Sequence, residues 1–192
     1  MDAVDAFLSR PHPRPLVGAW KCGWSLGFHS SFSGADWSRS GVGDLAFRLK
    51  YRGDGSALGP LVEQAVSICR EHSELAEVDL IVPIPPSTAR SLDPVSAFAE
   101  AIARELGLTV AAVVTRTRPA QPQKEMRTLA QKRANVAGAF AASGEARGKR
   151  VLVVDDLYDS GATLDEAARV LRAAGASSIC VLTLTRTIHS DA

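Results

Sequence analysis

Apolar residues recur at helical spacing in three segments of the chain. Two of them, residues 41–51 and residues 58–69, follow one another after a less regular N-terminal stretch. The third is the most clearly bounded, because Asp93 suits an N-cap, Pro94 suits the first helical position and Gly107 suits the C-terminal stop. The pattern therefore predicts three amphipathic helices, each with one face directed at a core.

Short, continuous apolar runs alternate with helices in the second half of the chain. Such runs are typical of strands that are covered on both faces in a parallel sheet. A fourth helix is predicted between the last two runs and ends at Gly175. Strand, loop, helix and strand in this order indicate a right-handed βαβ unit, so the predicted fold class is α/β, a mainly parallel sheet flanked by helices. The predicted strands are Asp79–Val82, Thr109–Thr115, Val151–Val154 and Ile179–Leu184.

The length of 192 residues suits one domain with a small N-terminal extension. Residues 1–40 form this predicted extension, which is a hood or a strand pair. Residues 19–30 resemble two short strands interrupted by Gly23 and Gly27. Residues 41–192 form the predicted main domain.

Composition and charge narrow the class of protein. A formal net charge of +1 gives no overall field that would hold DNA or anionic lipid, so any affinity for phosphate must come from local clusters. No apolar run reaches the length that spans a bilayer, and the first residues do not resemble a signal peptide. We therefore expect a cytoplasmic protein without membrane partners.

The cysteines are consistent with a reducing compartment. Cys22, Cys69 and Cys180 are widely spaced and form no CxxC motif, which argues against a disulfide framework and against a structural zinc site.

The candidate ligand site follows the predicted strand Val151–Val154, in the segment DDLYDSGAT. Ligands of open α/β sheets bind at the carboxyl ends of strands, and this segment also opens a helix, whose N-terminal amides favour a phosphate. Gly161 would let the backbone approach a phosphate closely, and neighbouring hydroxyls could donate to it. The predicted phosphate loop consists of Asp159, Ser160, Gly161, Ala162 and Thr163.

Two adjacent acids, Asp155 and Asp156, precede this loop. Their charge excludes direct phosphate binding, but they can accept hydrogen bonds from ribose hydroxyls or from metal-bound water. The alternative is an ordinary βα turn with a Ser or Thr N-cap, in which two adjacent acids would have no capping role. The residue types therefore favour a phosphorylated sugar as the ligand.

Other conspicuous side chains are interpreted as structural. His29 lies near Phe28 and Phe32, and an isolated histidine of this kind is more often structural than catalytic. The three tryptophans are expected to pack the extension onto the core, with stacking on a base as the alternative. They are Trp20, Trp24 and Trp37.

The segment VLVVDDLYDSGAT resembles the signature of type I phosphoribosyltransferases: an apolar strand, two acids, variable residues, then hydroxyl, glycine, small residue and threonine. The resemblance implies that Asp155 and Asp156 are the catalytic acids and hold the ribose hydroxyls of 5-phosphoribosyl-1-pyrophosphate. It implies that residues 159–163 bind the 5-phosphate. The implied cofactor is Mg²⁺, which reaches the protein through the substrate and through the same two acids.

Three further motifs precede the signature, in the order LAFRLKYRGD, IVPIPPS and QPQKEMRTLAQKRANVAGAF. In this order they resemble the ComF family of amidophosphoribosyltransferase-like competence proteins, from about residue 41 onward. The resemblance implies a pyrophosphate-side loop at Pro83–Ser87 and a mobile basic loop at residues 121–135 that closes over the substrate. The implied pyrophosphate-side residues are Pro85, Pro86, Ser87, Lys124, Arg127 and Arg133.

The charge of the basic loop supports a role in pyrophosphate binding independently of the resemblance. Six cations against Glu125 give six minus one, a local charge of +5. Cations that close over a departing pyrophosphate stabilise the charge that grows on it in the transition state. A solvated basic loop and a nucleic-acid contact are the alternatives. The six cations are Arg116, Arg118, Lys124, Arg127, Lys132 and Arg133.

The sequence departs from the ComF pattern in two places. The N-terminal zinc ribbon of paired cysteines is missing, since Cys22 stands alone in that region. The RGFNQ-like stretch after the proline-rich loop is replaced by TARSLDPVSAF, which lacks its glycine, aromatic and amide residues. The resemblance therefore leaves the acceptor and the partners open.

Two functions from different classes follow as expectations. The first is a phosphoribosyltransferase that transfers the phosphoribosyl group to an unknown nitrogen acceptor and releases pyrophosphate. The second is a non-catalytic binding module of the ComF type that acts in DNA uptake or processing. The expected partners are 5-phosphoribosyl-1-pyrophosphate or a phosphoribosyl nucleotide, a DNA-processing protein, and a second copy of the chain in a homodimer.

Overall fold

The computed structural model describes residues 13–33, 36–87, 93–119, 126 and 128–188. The strands in these ranges are β1 (Arg14–Pro15), β2 (Cys22–Ser25), β3 (Ser30–Ser33), β4 (Asp36–Arg39), β5 (Leu80–Pro83), β6 (Thr109–Val110), β7 (Val114–Arg116), β8 (Phe140–Ala142), β9 (Arg150–Tyr158) and β10 (Ser178–Arg186). The helices are α1 (Gly41–Arg52), α2 (Leu58–Glu71), α3 (Ser73–Ala76), α4 (Pro94–Leu106), α5 (Leu129–Val136) and α6 (Ala162–Ala173). Among these described residues, no helix combines the length and the apolar character needed to cross a membrane.

A six-stranded sheet forms the centre of the fold, in the order β1-β2-β10-β9-β5-β6. The pairs β2–β10, β10–β9, β9–β5 and β5–β6 are parallel, and β1 pairs antiparallel with β2 at one edge. Two short antiparallel pairs, β3–β4 and β7–β8, stand outside this sheet. The predicted α/β class with a mainly parallel, helix-flanked sheet is confirmed.

Helices cover both faces of the sheet, which explains why the side chains on both faces of its central strands are apolar. Leu152 and Val154 pack with α1, α2 and α4 on one face, whereas Val151 and Val153 pack with α6 on the other. All four side chains are fully buried, and burying each one stabilises the fold by about 1.5–3 kcal/mol. The unbroken apolar run VLVV is therefore a strand with two buried faces, as its sequence predicts.

The four predicted helices are present as α1, α2, α4 and α6, and their ends follow the expected chemistry. The Asp93 side chain accepts a hydrogen bond from the amide of Val95, with Pro94 in the first turn of α4. The left-handed residues Gly53 and Gly107, at φ 61° and 68°, end α1 and α4.

The prediction of one strand over Thr109–Thr115 is wrong. β6 pairs with β5 in the central sheet, whereas β7 pairs with β8 in a separate two-stranded sheet. The amide of Ala111 still donates to the carbonyl of Ile81, at 3.1 Å, and the chain then leaves the central sheet. Val113 and Val114 are buried on the α6 side, so the apolar run TVAAVV serves two sheets.

The prediction of a mobile loop over residues 121–135 is also corrected in part, because the chain is helical from Leu129 onward. Thr128 and Gln131 form a capping box at the start of α5, in which each side chain bonds the backbone of the other residue. Residues 120–125 and 127 lie outside the described residues, so the part of the predicted mobile loop that contains Lys124 and Arg127 has no structural account.

The N-terminal segment contributes to the central sheet. Within residues 19–30, β2 pairs with β1 and β10, and the strand pair of this region is β3–β4, which comes later in the chain. The division of the chain at residue 40 stays a prediction. Cys22 and Cys180 are register partners, and their free thiols lie 2.8 Å apart, so wide spacing in sequence did not mean separation in space.

Candidate functional site

The two acids lie near the carboxyl end of β9, beyond its buried apolar part. Asp155 and Asp156 are partly buried, and the backbone amide of Asp156 donates to the Asp155 carboxylate at 2.8 Å. Burial, and after it the like charge of Asp156, raises the pKa of Asp155 to about 8. The hydrogen bond from the Asp156 amide and two nearby cations, Lys50 and Arg116, oppose this shift without cancelling it. Asp155 therefore favours its protonated form near neutral pH unless a cation or ligand changes its surroundings.

Lys50 is a site residue to which the sequence assigned no role. It projects from α1, and its Nζ forms an ion pair with the Asp156 carboxylate. Burial alone would lower the pKa of Lys50, but the charge and hydrogen bond of Asp156 outweigh it, and the pKa is raised. Lys50 belongs to the motif LAFRLKYRGD, yet no periodicity or spacing indicates a partner on a strand so distant in the chain.

The predicted phosphate loop connects β9 to α6. Gly161, the N-cap of α6, adopts φ 76°, and a Cβ there would lie 3.0 Å from the Tyr158 ring. A side chain at this turn would be strained, so the turn favours glycine. Gly161 has no side chain with which to cap the first turn of α6, which leaves that helix end suited to an external acceptor such as a phosphate.

Asp159 is held by neighbours rather than directed at a ligand. Its carboxylate forms an ion pair with Lys132 of α5 and accepts a hydrogen bond from the Thr187 hydroxyl at 3.2 Å. A carboxylate repels a phosphate, so Asp159 can contribute to the predicted phosphate loop through its backbone. The Lys132 contact brings one of the predicted basic residues to the edge of this loop.

The predicted pyrophosphate-side loop lies at the same edge of the sheet. Residues 85–87 follow β5, and the amide of Ile84 donates to the carbonyl of Val154 at 2.9 Å, next to the acids. The Nε of Arg116 donates to the carbonyls of Pro85 and Pro86, at 3.1 and 3.0 Å. The structure thus brings together the acids, the phosphate loop and the proline-rich loop.

Other predicted basic residues point elsewhere. Arg118 donates to the carbonyls of Asn135 and Ala137, at 3.1 and 2.7 Å. Arg133 is exposed and lies 3.7 Å from the Asp165 carboxylate of α6. Part of the predicted local charge of +5 is therefore used within the protein.

His29 lies beside the acids, as part of a small cluster of charges. Its backbone amide donates to the carbonyl of Arg186 at 2.8 Å, which attaches it to β10. Burial, and then the nearby charges of Arg39 and Lys50, lower the pKa of His29, whereas Asp156 opposes this. A neutral histidine with a backbone anchor is compatible with the structural role expected of it.

Two of the three tryptophans pack as expected. Trp20 meets the ring of Tyr158 edge-on, with centroids 6.3 Å apart, and Trp24 stacks on His72 at 4.0 Å. The side chain of Trp37 lies outside the described side chains.

A cavity of about 780 Å³ lies between α2 and α4, away from these residues. It is lined by both acidic and basic side chains, among them Glu63, Arg70, Arg104 and Glu105, and none of the residues at the strand ends reaches it. It is not the candidate site, because it lies away from the strand ends at which the acids, the phosphate loop and the proline-rich loop meet.

The family of the chain follows from comparison with known proteins. A family model described as the phosphoribosyl transferase domain matches residues 96–191, which is half of the chain and includes the acids and the phosphate loop. The chain therefore belongs to the phosphoribosyl transferase domain family.

Curated relatives match in a shorter region. The ribose-phosphate pyrophosphokinase of Ralstonia nicotianae is 33% identical over 81 residues, 42% of this chain and 21% of the relative. The ribose-phosphate pyrophosphokinase of Mycoplasma genitalium is 36% identical over 58 residues, 30% of this chain and 18% of the relative. The match thus spans about a fifth of the length of these relatives.

Solved structures share the fold at low sequence identity. The adenine phosphoribosyltransferase of Leishmania donovani superposes with a TM-score of 0.50 at 14% identity, over 99% of this chain and 70% of that chain. The glutamine phosphoribosylpyrophosphate amidotransferase of B. subtilis gives a TM-score of 0.47 at 21% identity, over 84% of this chain and 34% of that chain. The fold is that of the type I phosphoribosyltransferases.

Proposed function

We propose that the protein binds 5-phosphoribosyl-1-pyrophosphate with Mg²⁺ and transfers its phosphoribosyl group to a nitrogen acceptor, with release of pyrophosphate. One observation carries the proposal: three features lie at the same edge of the sheet. They are two adjacent acids, a helix N-terminus that follows a glycine turn, and a proline-rich loop that is bound by a cation. Each of these three parts suits a different part of one sugar diphosphate.

The acids suit the ribose. Asp155 and Asp156 present acceptor oxygens at a strand end, as the two hydroxyls of a ribose require. The turn at Gly161 and the first turn of α6 suit the 5-phosphate, because backbone amides and the hydroxyls of Ser160 and Thr163 can donate to it. This assignment rests on chemistry and on the family signature.

The acidic pair also fits a magnesium ion that arrives with the substrate. Mg²⁺ prefers oxygen ligands and is usually held by one or two carboxylates together with substrate phosphates. Burial and the charge of Asp156 raise the pKa of Asp155, so a cation bound beside it would favour the ionised form that can act as a ligand. The described residues form no group of three or more metal-ligating side chains. Asp155 and Asp156 would hold the ion jointly with the diphosphate, and the ion would supply positive charge to the leaving group.

The chain's own residues then orient the reaction. The acids and the phosphate loop fix the sugar at both ends, which directs C1 towards the incoming nitrogen. As that nitrogen bonds to C1, the bond from C1 to the pyrophosphate oxygen breaks and negative charge moves onto pyrophosphate. Cations beside the proline-rich loop stabilise this charge more in the transition state than in the ground state.

A pyrophosphate-release assay tests the proposal. The purified protein, Mg²⁺ and 5-phosphoribosyl-1-pyrophosphate are combined with nucleobases, ammonia and amines in turn. We expect pyrophosphate release that depends on one class of acceptor and that is lost in Asp156→Asn. Absence of release with every acceptor, in protein that binds the sugar diphosphate, would contradict transferase activity.

The alternative is a non-catalytic binding module of the ComF type. The observation that favours it is that two carboxylates of the site already have cationic partners, since Lys50 pairs with Asp156 and Lys132 with Asp159. In such a site the carboxylates are neutralised without a substrate, and the site could bind a ligand for sensing or docking without catalysing a reaction. Membership of the ComF family and a role in competence stay predictions, supported by the order of the sequence motifs.

A further inference from the structure

Arg116 occupies an unusual position between the proline-rich loop and the acids. It is the last residue of β7, and its Nε donates to the carbonyls of both Pro85 and Pro86, at 3.1 and 3.0 Å. Its guanidinium lies over the ring of Phe140, the register partner of Arg116 on β8, with 4.8 Å to the centroid. Three contacts from two elements therefore fix the planar group in place.

One end of this fixed guanidinium has no partner. The Nη1 atom of Arg116 is buried and makes no hydrogen bond to any described residue. An arginine cannot lose its proton to relieve this, and a buried unpaired donor costs about 1–3 kcal/mol, more when it is charged. Buried unsatisfied groups of this kind are rare in native proteins, and an absent ligand or ion is one explanation of them.

The surroundings of Arg116 indicate the kind of ligand. The charge of Asp155 acts on Arg116, so the guanidinium lies within electrostatic range of the acidic pair, yet the described residues form no ion pair between them. On its other side it holds the loop that follows β5. A donor fixed between these two features suits an anionic oxygen of a ligand that spans them.

We propose that Arg116 is the residue that positions the Pro85–Ser87 loop and presents Nη1 to the diphosphate end of the ligand. This inference rests on the proposed function and deepens it, because it assigns the pyrophosphate side to a rigid arginine of β7. The carbonyls of Pro85 and Pro86 both accept from the Nε of Arg116, so this side chain holds the loop in place. Arg116 thus has two roles, one towards the loop and one towards the ligand.

Arg150 provides a control outside the site. It is the first residue of β9, at the end of that strand away from the acids, and its Nη2 bonds the Asp79 carboxylate at 2.7 Å with 45% of its side chain exposed. Arg116→Gln and Arg150→Gln therefore remove the same charge from two different ends of the sheet. Arg116→Lys keeps the charge but replaces the rigid fork with a flexible ammonium group.

Calorimetric titration with Mg²⁺ and two ligands tests the inference. For 5-phosphoribosyl-1-pyrophosphate, we expect Arg116→Gln to weaken binding roughly ten- to a hundredfold, Arg116→Lys to recover part of the loss, and Arg150→Gln to bind as wild type. For ribose 5-phosphate, which lacks the diphosphate, all four proteins should bind alike. Thermal melts establish that each variant is folded.

The outcomes separate the inference from the function on which it rests. If wild type binds neither ligand, the proposed function fails. If wild type binds but Arg116→Gln matches it for the sugar diphosphate, the role of Arg116 is wrong. Equal losses for both ligands would show a structural role and would also overturn the inference. Should Arg116→Gln fail to fold, the ratio of the two affinities in Arg116→Lys decides the question.

Discussion

At the scale of single residues, the two acids of β9 are adjacent but not equivalent. Asp156 has a cationic partner in Lys50, whereas Asp155 has a strongly raised pKa because burial and the charge of Asp156 both disfavour its ionised form. A substitution that removes one charge should therefore have different consequences for stability at the two positions, although its effect on ligand binding should be similar.

Asp155→Asn tests the raised pKa. Because the folded-state pKa, at about 8, lies above the unfolded value, the favourable contribution of the protonated group is complete at low pH and is lost as pH rises towards 8. Asn at position 155 does not titrate, so the variant does not lose this contribution to stability as the pH rises. We expect the Tm of Asp155→Asn minus that of wild type to increase between about pH 5 and about pH 9.

Asp44→Asn serves as its control, since the Asp44 side chain is 52% exposed. A Tm difference for Asp155→Asn that is constant or shrinks with rising pH would contradict the environment assigned to Asp155.

The Lys50–Asp156 pair is tested by a double-mutant cycle. Lys50→Met, Asp156→Asn and the double variant are compared by denaturant unfolding. The side chains are 27% and 21% exposed, so solvent screens the pair in part, and we expect a coupling free energy of about 0.5–1 kcal/mol. Additive effects would show that the contact contributes nothing to stability.

Residue chemistry was only partly predictable from the sequence. Asp155, Asp156 and Gly161 belong to one short segment, and their order alone indicated a phosphorylated sugar. The sequence named Arg116 among the six cations without indicating its contacts with the proline-rich loop, and it assigned no role to Lys50. Both residues acquire their positions from β7 and α1, which reach the site through tertiary packing. No local pattern encodes such a contact, because the partners are distant in the chain and the strand order is known only after folding.

At the scale of elements, the turn between β9 and α6 is the part of the site with the strictest backbone requirement. Gly161→Ala places a side chain at φ 76° and a Cβ about 3.0 Å from Tyr158. We expect a loss of about 1–2 kcal/mol in the free energy of unfolding, together with weaker binding of ribose 5-phosphate, because the turn must shift. Unfolding and calorimetry measure the two effects.

Gly144→Ala is the matched control for Gly161→Ala. Gly144 has no positive φ, and a Cβ there would meet nothing within 4 Å. If both variants unfold and bind like wild type, the turn is not constrained as the structure indicates.

Elements were predictable where capping and periodicity agree, and less so where one apolar run serves two sheets. α4 has its N-cap, first-turn proline and terminal glycine in sequence, so its bounds followed directly. The run over residues 109–115 has no polar residue to mark where β6 ends and β7 begins. The capping box of Thr128 and Gln131 was present in the sequence, but the polar composition around it favoured a loop.

At the scale of the whole molecule, parallel strands bring their carboxyl ends to one edge, and this places the acids, the phosphate loop and the proline-rich loop together. The fold class followed from the alternation of apolar runs and helices. The acceptor does not follow from it, because one fold can host many different activities and the activity depends on the site.

Calorimetric titration of the wild-type protein with 5-phosphoribosyl-1-pyrophosphate and Mg²⁺, beside Asp155→Asn and Asp156→Asn, tests the central claim most directly. Losing one charged acceptor should weaken binding roughly ten- to a hundredfold in each variant. The account predicts saturable binding by wild type and this loss in both variants. No binding by wild type at about millimolar ligand, or equal affinity in all three proteins, would contradict it.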